Sequence, residues 1–542
     1  MDTLPYELVR AIIVDHTTAM MWPVFHCVSP LWRDLLKGVR SKGVSQSKPA
    51  LVLSGAQYRH TCMTVRRCAV HYAKLAIDRG WWNVVEWMLD CAGPFGSIND
   101  IDAYACEKAA VDGDLALVKR WTTRGGLLWP RSWACEQAAR GGHLPILEYL
   151  YGVTGSFINN GEDALYRAAE GGHTHVIQWL RERGCPWHDN TIGCAAREAH
   201  TDTVKWLVEN GCPWGKCTMG DAAKSGRLDI VQWLHARGCP WDIWTSANAA
   251  RRGDIDMLRW AHAHGCQLDS LAYIFAVKRG HLTVLEWLHA NGCPVGLYDC
   301  SWAANMGHLD VLVWLLSHGR PWSAFTFAGA AKCGHTHIVQ WARNNGCPWD
   351  ASACASAARG NHLDILQWLH GQGCPWNEDV CANAAANGDL GMLQWARSKG
   401  CPWSAETCAA AAKGGHLGVL RWARANGCPW DADTCAKAAA NGHLGVLEWA
   451  RANGCPWEKG TCQSASHWGH FKVLCWARSN GCPWSALTCK WAAMNGHVEI
   501  VEWLLDHGCP YDANGLGHIA STTRHIELRA LLQSRLTSTT SV

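Results

Sequence analysis

The chain has 542 residues, of which 48% are hydrophobic and 18% are charged, and its formal net charge at pH 7 is +3. This composition is typical of a chain that buries a large core, and it excludes a disordered protein, a generally basic nucleic-acid coat and a polyacidic tail. No window approaches the roughly 18 apolar residues that span a bilayer, and no apolar signal segment follows the N-terminus. We therefore expect an intracellular protein that is not secreted, with its 29 cysteines reduced.

The first segment with a recognisable pattern lies at residues 4–36. It begins with Leu-Pro-x-Glu-Leu, continues with a helical apolar stripe, and ends in Val-Ser-x-x-Trp-Arg-x-Leu. This pattern resembles the F-box, a small three-helix module whose apolar face docks on the Skp adaptor of cullin–RING ubiquitin ligases. The resemblance assigns residues 1–40 to an F-box-like domain, which a linker at 41–65 separates from the rest of the chain.

The F-box resemblance also implies roles for individual residues. The positions matched to the adaptor-binding part of the module are Leu4, Pro5, Glu7, Leu8 and Ile12. The positions matched to its core are Val28, Trp32 and Leu35. The chain departs from the pattern at His16, where a Leu is usual, and at Pro23, which interrupts the middle. A working module would make the Skp adaptor and a cullin the partners of this end of the chain.

From about residue 165 to residue 511 the sequence repeats strictly every 27 residues. Thirteen glycines from Gly184 to Gly508 keep this spacing, and the full Gly-Cys-Pro-Trp occurs at nine of them. A parallel series of thirteen tryptophans runs from Trp179 to Trp503. Looser units extend the array to residues 66–532 and leave a polar tail at 533–542. A fixed period of this length predicts a solenoid of stacked units.

The repeat that begins at Asp431 shows the elements each unit predicts. Asp433 and the Thr after it are good N-cap residues for a short Ala-rich helix up to Ala440, and an Asn-Gly pair ends that helix. A second helix is predicted over 443–452, with Trp449 buried between successive units. Because neither helix is long enough to fold alone, the units must stack into an α-solenoid.

The string Ala-Ala-x-x-Gly-His-Leu-x-Val-Leu-x-Trp-x-x-x-x-Gly is similar to the core of the ankyrin repeat, in which a Leu usually replaces this Trp. The ankyrin unit has 33 residues, and the shortening falls where ankyrins carry a β-hairpin finger. The resemblance implies an all-α solenoid of 27-residue ankyrin-like helix-turn-helix repeats behind the three-helix F-box-like module. An F-box-like segment followed by a long ankyrin-like array with Gly-Cys-Pro-Trp units resembles the F-box plus ankyrin-repeat proteins of giant DNA viruses of amoebae.

The many cysteines and histidines suggest a metal site, but their spacing does not favour one. No Cys-x-x-Cys occurs with a matching second pair. Cysteines one repeat apart lie about 8–10 Å apart, beyond the ~7 Å Cα limit for a disulfide. We predict that the cysteines pack as small apolar side chains and that the repeated His bonds loop backbone. No catalytic motif is present, so we expect no enzyme activity, no metal and no cofactor.

A basic residue stands just before the Gly-His turn in many central repeats and is absent toward the C-terminus. The members of this basic ladder are Arg197, Lys224, Arg251, Lys278, Lys332, Arg359 and Lys413. Two explanations stay open. The helix macrodipole favours cations at helix C-termini, which gives the ladder a structural role. Alternatively, the ladder is a surface for an acidic partner.

These patterns predict a protein–protein interaction protein, the substrate receptor of a Skp–cullin–F-box ubiquitin ligase whose repeat array binds the target. One alternative is a plain ankyrin-type scaffold or host-factor decoy without ligase activity. Another is a nucleic-acid-binding solenoid, although few aromatic side chains accompany the ladder for base stacking. If the chain is viral, it would act in the host cytoplasm or nucleus, with no membrane partner.

Overall fold

The computed structural model describes residues 74–80, 82, 85, 99–124, 131–154, 161–523 and 525–538. Every regular element in these ranges is a helix, and no strand occurs in them. The predicted all-α repeat solenoid is confirmed for this part of the chain. The predicted F-box-like domain at 1–40 and the linker at 41–65 lie outside the described residues.

The chain consists of two compact units, residues 1–269 and residues 270–542. The helices described in the first unit are α1 (Asn99–Asp112), α2 (Leu115–Arg124), α3 (Arg131–Gly141), α4 (Leu144–Thr154), α5 (Glu162–Glu170), α6 (Thr174–Glu182), α7 (Thr191–Arg197), α8 (Thr201–Glu209), α9 (Thr218–Ser225), α10 (Leu228–Ala236), α11 (Ile243–Arg252) and α12 (Ile255–Ala263).

The helices described in the second unit are α13 (Ser270–Arg279), α14 (Leu282–Ala290), α15 (Asp299–Met306), α16 (Leu309–Ser317), α17 (Ala324–Lys332), α18 (Thr336–Asn344), α19 (Ala351–Arg359), α20 (Leu363–Gly371), α21 (Asp379–Asn387), α22 (Leu390–Ser398), α23 (Ala405–Lys413), α24 (Leu417–Ala425), α25 (Ala432–Ala440), α26 (Leu444–Ala452), α27 (Lys459–His467), α28 (Phe471–Ser479), α29 (Ala486–Met494), α30 (Val498–Asp506), α31 (Ala513–Thr522) and α32 (Ile526–Ser538).

Each repeat contributes a first helix, with an odd number, and a second helix, with an even number. Within each compact unit, first helices of successive repeats pack against one another, and second helices pack on the first helix of their own repeat. Close approach of first helices is possible because small side chains line their contacts: Ala438 and Ala439 of α25 are fully buried. Leu447 and Ala450 of α26 are buried against this row.

The repeat that begins at Asp431 corrects the predicted helix start. Helix α25 begins at Ala432, because Asp431 and not Asp433 is its N-cap: the Asp431 carboxylate accepts the backbone N–H of Asp433 at 3.1 Å. The helix ends at the Asn-Gly pair, as predicted, and Gly442 has a φ of 75°. A β-carbon at Gly442 would lie 2.7 Å from the His470 ring, so conformation and space both require glycine there.

The tryptophans of the strict repeats fill the outer gap between second helices. Trp449 is half-buried rather than buried as predicted. Its ring meets the edge of Trp430, from the preceding Gly-Cys-Pro-Trp loop, with centroids 6.0 Å apart. The Arg424 guanidinium lies 4.1 Å from the Trp430 centroid and donates a hydrogen bond to the Cys428 carbonyl. This Arg–Trp–Trp contact joins one repeat to the next while keeping part of each ring in water.

Helix α32 closes the second unit and is longer than the sequence predicts. Leu528 and Leu532 are fully buried, and the helix packs on α31. An ion pair of 2.6 Å joins Arg535 to Asp506 of α30. The predicted polar tail at 533–542 is therefore helical as far as Ser538.

Candidate functional site

Two edges of the repeat stack carry the candidate side chains. The turn edge is where a first helix passes into the second helix of its own repeat, and the loop edge is where the next first helix begins. At the turn edge, a His Nε2 donates to a backbone carbonyl 30 residues earlier, as in His443 to Lys413 at 3.1 Å and His416 to Ala386 at 3.0 Å. The repeated His bonds backbone, as predicted, but the acceptor lies in the last turn of the first helix of the preceding repeat rather than in a loop.

All seven members of the basic ladder lie in the last turn of their first helices, at the turn edge. In the first unit, Arg197 is half-buried and its guanidinium lies 3.2 Å from Glu198 and 3.9 Å from Asp221. Arg251 is half-buried as well, whereas Lys224 is exposed. Arg197 therefore serves the fold of its own repeats and is not free for a partner.

In the second unit the ladder is more accessible. The Lys278 ammonium lies 3.6 Å from the centroid of Trp302, so this cation stacks on an aromatic ring of the next repeat. Lys332, Arg359 and Lys413 are exposed. These three side chains are the part of the predicted ladder in this unit that a partner could contact.

The loop edge of the second unit exposes an apolar patch that the sequence analysis missed. We define the patch as Leu297, Tyr298 and Phe325, whose exposed fractions are 85%, 68% and 78%. Tyr298 and Phe325 occupy one register at the starts of α15 and α17, which pack on each other. The signal was available, since Leu271, Tyr298 and Phe325 stand 27 residues apart where the next four repeats have polar residues.

The same register becomes acidic further along the second unit. We define the acidic row as Asp379, Glu406 and Asp433, which are exposed in the first turns of α21, α23 and α25. Helix N-termini favour carboxylates, which accounts for their stability there. The Glu406 carboxylate also forms an ion pair with Lys437 of the next repeat, with Oε2 and Nζ 2.7 Å apart. The loop edge thus presents apolar side chains followed by carboxylates.

Within the ranges that the structure describes, neither a metal-ligand group of three or more residues nor a membrane-spanning helix occurs. No group of three or more His, Cys, Asp or Glu side chains in those ranges is arranged to hold a metal ion. None of the helices described is long and apolar enough to cross a membrane.

Family models match two segments of the array. Residues 135–216 match a model described as ankyrin repeats (3 copies), and residues 482–513 match one described as ankyrin repeat. The chain contains ankyrin repeats. Both matched segments lie in the helix-turn-helix array, the first over α3 to α8 and the second around α30. Ankyrin repeats are typically binding scaffolds for other proteins rather than enzymes.

Three solved structures illustrate what the chain is similar to. The human ASB11 ankyrin repeat domain is 21% identical, with 30% of this chain and 84% of that chain covered and a TM-score of 0.26. The maize pentatricopeptide repeat protein PPR10 is 12% identical, with 94% and 92% covered and a TM-score of 0.30. PPR10 in complex with an 18-nt psaJ RNA element is 12% identical, with 98% and 97% covered and a TM-score of 0.35. A search of curated proteins found no match.

Proposed function

We propose that the chain is a non-enzymatic substrate receptor of a cullin–RING ubiquitin ligase, in which the repeat array binds a target protein and residues 1–40 bind the adaptor. The apolar patch is the observation that carries the target-binding half. A cluster of exposed apolar side chains on a folded protein marks a contact site, and Tyr is enriched among the residues that dominate such contacts. The ankyrin repeats in the chain support a protein partner.

The apolar patch and the acidic row form one target-binding surface at the loop edge of the second unit. Tyr298 and Phe325 of the patch share a single register of successive first helices with the acidic row, so an extended segment laid along this edge meets apolar side chains first and carboxylates next. We therefore expect the target segment to carry bulky apolar residues beside Lys or Arg. The exposed cations Lys332, Arg359 and Lys413 offer a separate contact for acidic residues of the target.

A nucleic-acid partner is the weaker alternative. Binding to phosphates draws on several cations at once, and the second unit offers three exposed members of the ladder. The acidic row would repel a phosphate backbone that reached the loop edge. Binding of single-stranded RNA that weakens steeply with salt and is lost in Lys332→Glu and Arg359→Glu would favour this alternative over the receptor.

The adaptor-binding half rests on the F-box resemblance of residues 1–40. Leu4 and Pro5 lead that resemblance, and Leu8 and Ile12 continue the same helix face at a spacing of four residues. The double substitution Leu4→Ala and Pro5→Ala should abolish co-purification of the Skp adaptor and cullin while the helical content of the array is retained. Trp32→Ala should also lose binding, through loss of the module's core.

The target-binding half has its own test. Tyr298→Ser with Phe325→Ser should reduce recovery of the target at least tenfold in quantitative affinity purification, since a few central aromatic side chains dominate an interface. Leu487→Ser is the matched control, because Leu487 occupies the same register and is 46% exposed but lies outside the patch. Equal recovery of the target by the patch variant and the wild-type chain would exclude this surface.

The adaptor-binding test and the target-binding test can fail independently. Their outcomes together separate the ligase receptor from a plain scaffold or decoy. If the wild-type chain recovers a target through the patch but no Skp adaptor from cells in which other F-box proteins do so, the chain is a plain scaffold or a decoy. If it recovers the adaptor and the patch variant still recovers the target, the receptor function stands and the binding surface lies elsewhere on the array.

A further inference from the structure

Two exposed histidines of the second unit meet across successive repeats, and the proposed function does not use them. His289 lies in the last turn of α14, and His318 is the C-cap residue of α16. Their ring centroids lie 5.2 Å apart, with the ring planes at 80° to each other. Both residues are exposed, so a small ligand can reach them while the array stays folded. Spacing within one register did not favour a metal site, but these two rings belong to two registers.

The ring of His318 is oriented as a metal ligand usually is. Its Nδ1 lies 2.9 Å from the carbonyl oxygen of Trp314. Because a carbonyl only accepts, Nδ1 carries the proton and Nε2 keeps a free lone pair. Histidines that bind metals almost always donate their other ring N–H to a carbonyl or carboxylate in this way. The ring also stacks on the Trp314 indole, with centroids 3.9 Å apart, which fixes its plane.

His289 lacks the contact that its register makes in the strict repeats. In one of those repeats Arg424 holds this register and lies over Trp430 of the following loop. Val295 takes the place of that loop tryptophan after His289. The imidazole contacts Trp314 instead, with centroids 5.3 Å apart and ring planes at 87°. The His289 ring makes no hydrogen bond within the described residues, so its nitrogens stay available.

The separation of the two rings fits one metal ion between them. An ion bound to two imidazole nitrogens at about 2.0–2.1 Å lies about 3.2 Å from each ring centroid, and a tetrahedral angle then sets the centroids about 5.2 Å apart. This is the separation observed between His289 and His318. No third His, Cys, Asp or Glu of the described ranges joins the pair, so water completes the coordination.

The same arrangement recurs in the first unit. His235 in the last turn of α10 and His264, the C-cap residue of α12, have ring centroids 5.7 Å apart at 78°. His264 Nδ1 donates to the Trp260 carbonyl at 2.7 Å, and the ring stacks on the Trp260 indole. Trp241 also stacks on His235. Because the larger separation needs an angle at the metal wider than tetrahedral, we expect this pair to bind more weakly.

Two further His–His contacts of the described residues do not share this arrangement. They join His173 with His175 and His335 with His337, with centroids 5.9 Å and 6.1 Å apart. Nε2 of His335 donates to the Asn305 carbonyl, and the other side of the ring lies against Gly307. The His173 ring lies in the same way against Gly142. One ring of each pair is thus occupied by the backbone of the preceding repeat.

We propose that His289 and His318 bind one Zn(II) ion, and that His235 and His264 form a second, weaker site of the same kind. Imidazole nitrogen is a ligand that Zn(II) prefers. Binding exchanges two zinc-bound waters for two neutral imidazoles, without a redox step. The ion ties the end of α14 to the end of α16. It thereby restrains residues 291–298 between them, which include Leu297 of the apolar patch.

The test is hydrogen exchange of the full-length chain, measured with and without Zn(II) in a buffer that does not chelate it. A ligand of the folded state lowers the open population by a factor of 1 + [L]/Kd, so exchange in α14 and α16 should slow about tenfold at ten times the Kd. Helices α22 and α24 of the same unit should not change. Because exchange is measured helix by helix, zinc bound elsewhere on the chain does not mimic this result.

Two substitutions remove the ligands and install residues that other repeats carry. His318→Asn keeps the C-cap bond, since Asn345 donates the same bond to the Trp341 carbonyl at 2.8 Å. His289→Arg installs the residue that Arg424 provides in its own repeat. Each variant should fold and should lose most of the zinc effect on α14 and α16. The proposal is overturned if zinc does not slow exchange in these helices of the wild-type chain, or if His318→Asn keeps the full effect.

His507 is the matched control, because it is a C-cap histidine without a histidine partner. Its ring stacks on Trp503 and its Nδ1 donates to the Trp503 carbonyl at 2.8 Å, as in His318, but Arg478 holds the partner register. Zinc should therefore leave exchange in α28 and α30 unchanged, and Arg478→His should make both helices respond. Equal slowing of α30 and α16 in the wild-type chain would exclude a two-histidine site. No response in Arg478→His would contradict its geometric basis.

Discussion

Two repeats of the second unit fill the same two interior positions with different residues. In the strict repeat that begins at Asp431, the interior holds Thr434 and Cys455. Asp299 and Arg320 occupy the corresponding positions five repeats earlier. The Asp299 side chain is 1% exposed and lies 3.4 Å from the Arg320 guanidinium, which also donates to the Gly296 carbonyl. An ion pair has replaced a hydroxyl and a thiol together.

The repeat with the altered interior is also the repeat with the altered surface. Leu297 and Tyr298 of the apolar patch lie directly before Asp299, and Phe325 lies in the next repeat. The four repeats that follow carry polar residues at this loop-edge register instead. The departures in the repeat of Asp299 thus lie where we propose that the target binds.

The largest effect is expected from Arg320→Ala. The substitution leaves the Asp299 carboxylate buried without its counterion, which should lower the free energy of local opening of α15 and α17 by about 3–5 kcal/mol. Hydrogen exchange of the amides in these helices measures the loss. The matched control is Asp299→Thr with Arg320→Cys, which installs the pair of the strict repeats and should cost much less. Equal losses in both variants would refute the ion-pair explanation.

In the strict region, the largest single effect should come from Trp449→Ala. A fully buried Trp costs about 3–5 kcal/mol when truncated to Ala, so the half-buried Trp449 should cost about 2–3 kcal/mol. The loss should stay local, because each repeat contacts only its neighbours. Faster hydrogen exchange is expected in α24, α26 and α28. An equal increase in α16 would contradict nearest-neighbour coupling.

Two glycines of one strict repeat should respond in opposite directions. Gly442→Ala forces an alanine into the left-handed conformation and against the His470 ring, at a cost of about 1–2 kcal/mol. Gly445 lies in α26 with open space where a β-carbon would be placed. Gly445→Ala should therefore stabilise the repeat by about 0.5–1 kcal/mol. Denaturation midpoints of the two variants give the signs directly, and a shared sign would be incompatible with this account.

The smallest effect is a pH dependence confined to the repeat of Asp299. Burial raises the pKa of the Asp299 carboxyl above its ordinary value, although Arg320 opposes the shift. The folded state therefore holds this proton more tightly than the unfolded state. The stabilisation is fully present below the ordinary Asp pKa and is lost as pH rises through the raised value. The difference in unfolding free energy between the wild-type chain and Asp299→Thr with Arg320→Cys should shift in this direction, and no shift would exclude the raised pKa.

The 27-residue register was sufficient to predict the helix-turn-helix unit, the glycine that ends the first helix, and a bond from the repeated His to backbone, but not that the acceptor lies at the helix end of the preceding repeat. It could not choose between Asp431 and Asp433 as the N-cap, because both residue types cap well and only the extended backbone of Asp431 decides. The half-burial of Trp449 depends on how far apart the second helices stand, which periodicity does not encode. The adaptor-binding residues of the F-box-like domain stay a prediction.

The surface and the contacts between the two cysteine series were harder to predict for one physical reason. Each depends on which residues meet across a repeat, whereas a register compares only equivalent residues of different repeats. Tyr298 and Phe325 look like ordinary helix-start residues, and only the fold shows that no neighbouring repeat covers them. Likewise, Cys408 and Cys428 belong to two separate series, and only the fold places the Cys428 thiol at the Ser404 carbonyl, where the helix of Cys408 begins.

The bonds from each His to the preceding repeat give the array a direction. The donor always lies later in the chain than its acceptor, as in His443 to Lys413 and His470 to Ala440. A ribosome that has released one repeat has therefore already produced every carbonyl that the next repeat needs, and no donor His waits on residues still to be translated. Synthesis from the N-terminus and assembly of the array proceed in the same order, so each emerging repeat can dock on a finished surface.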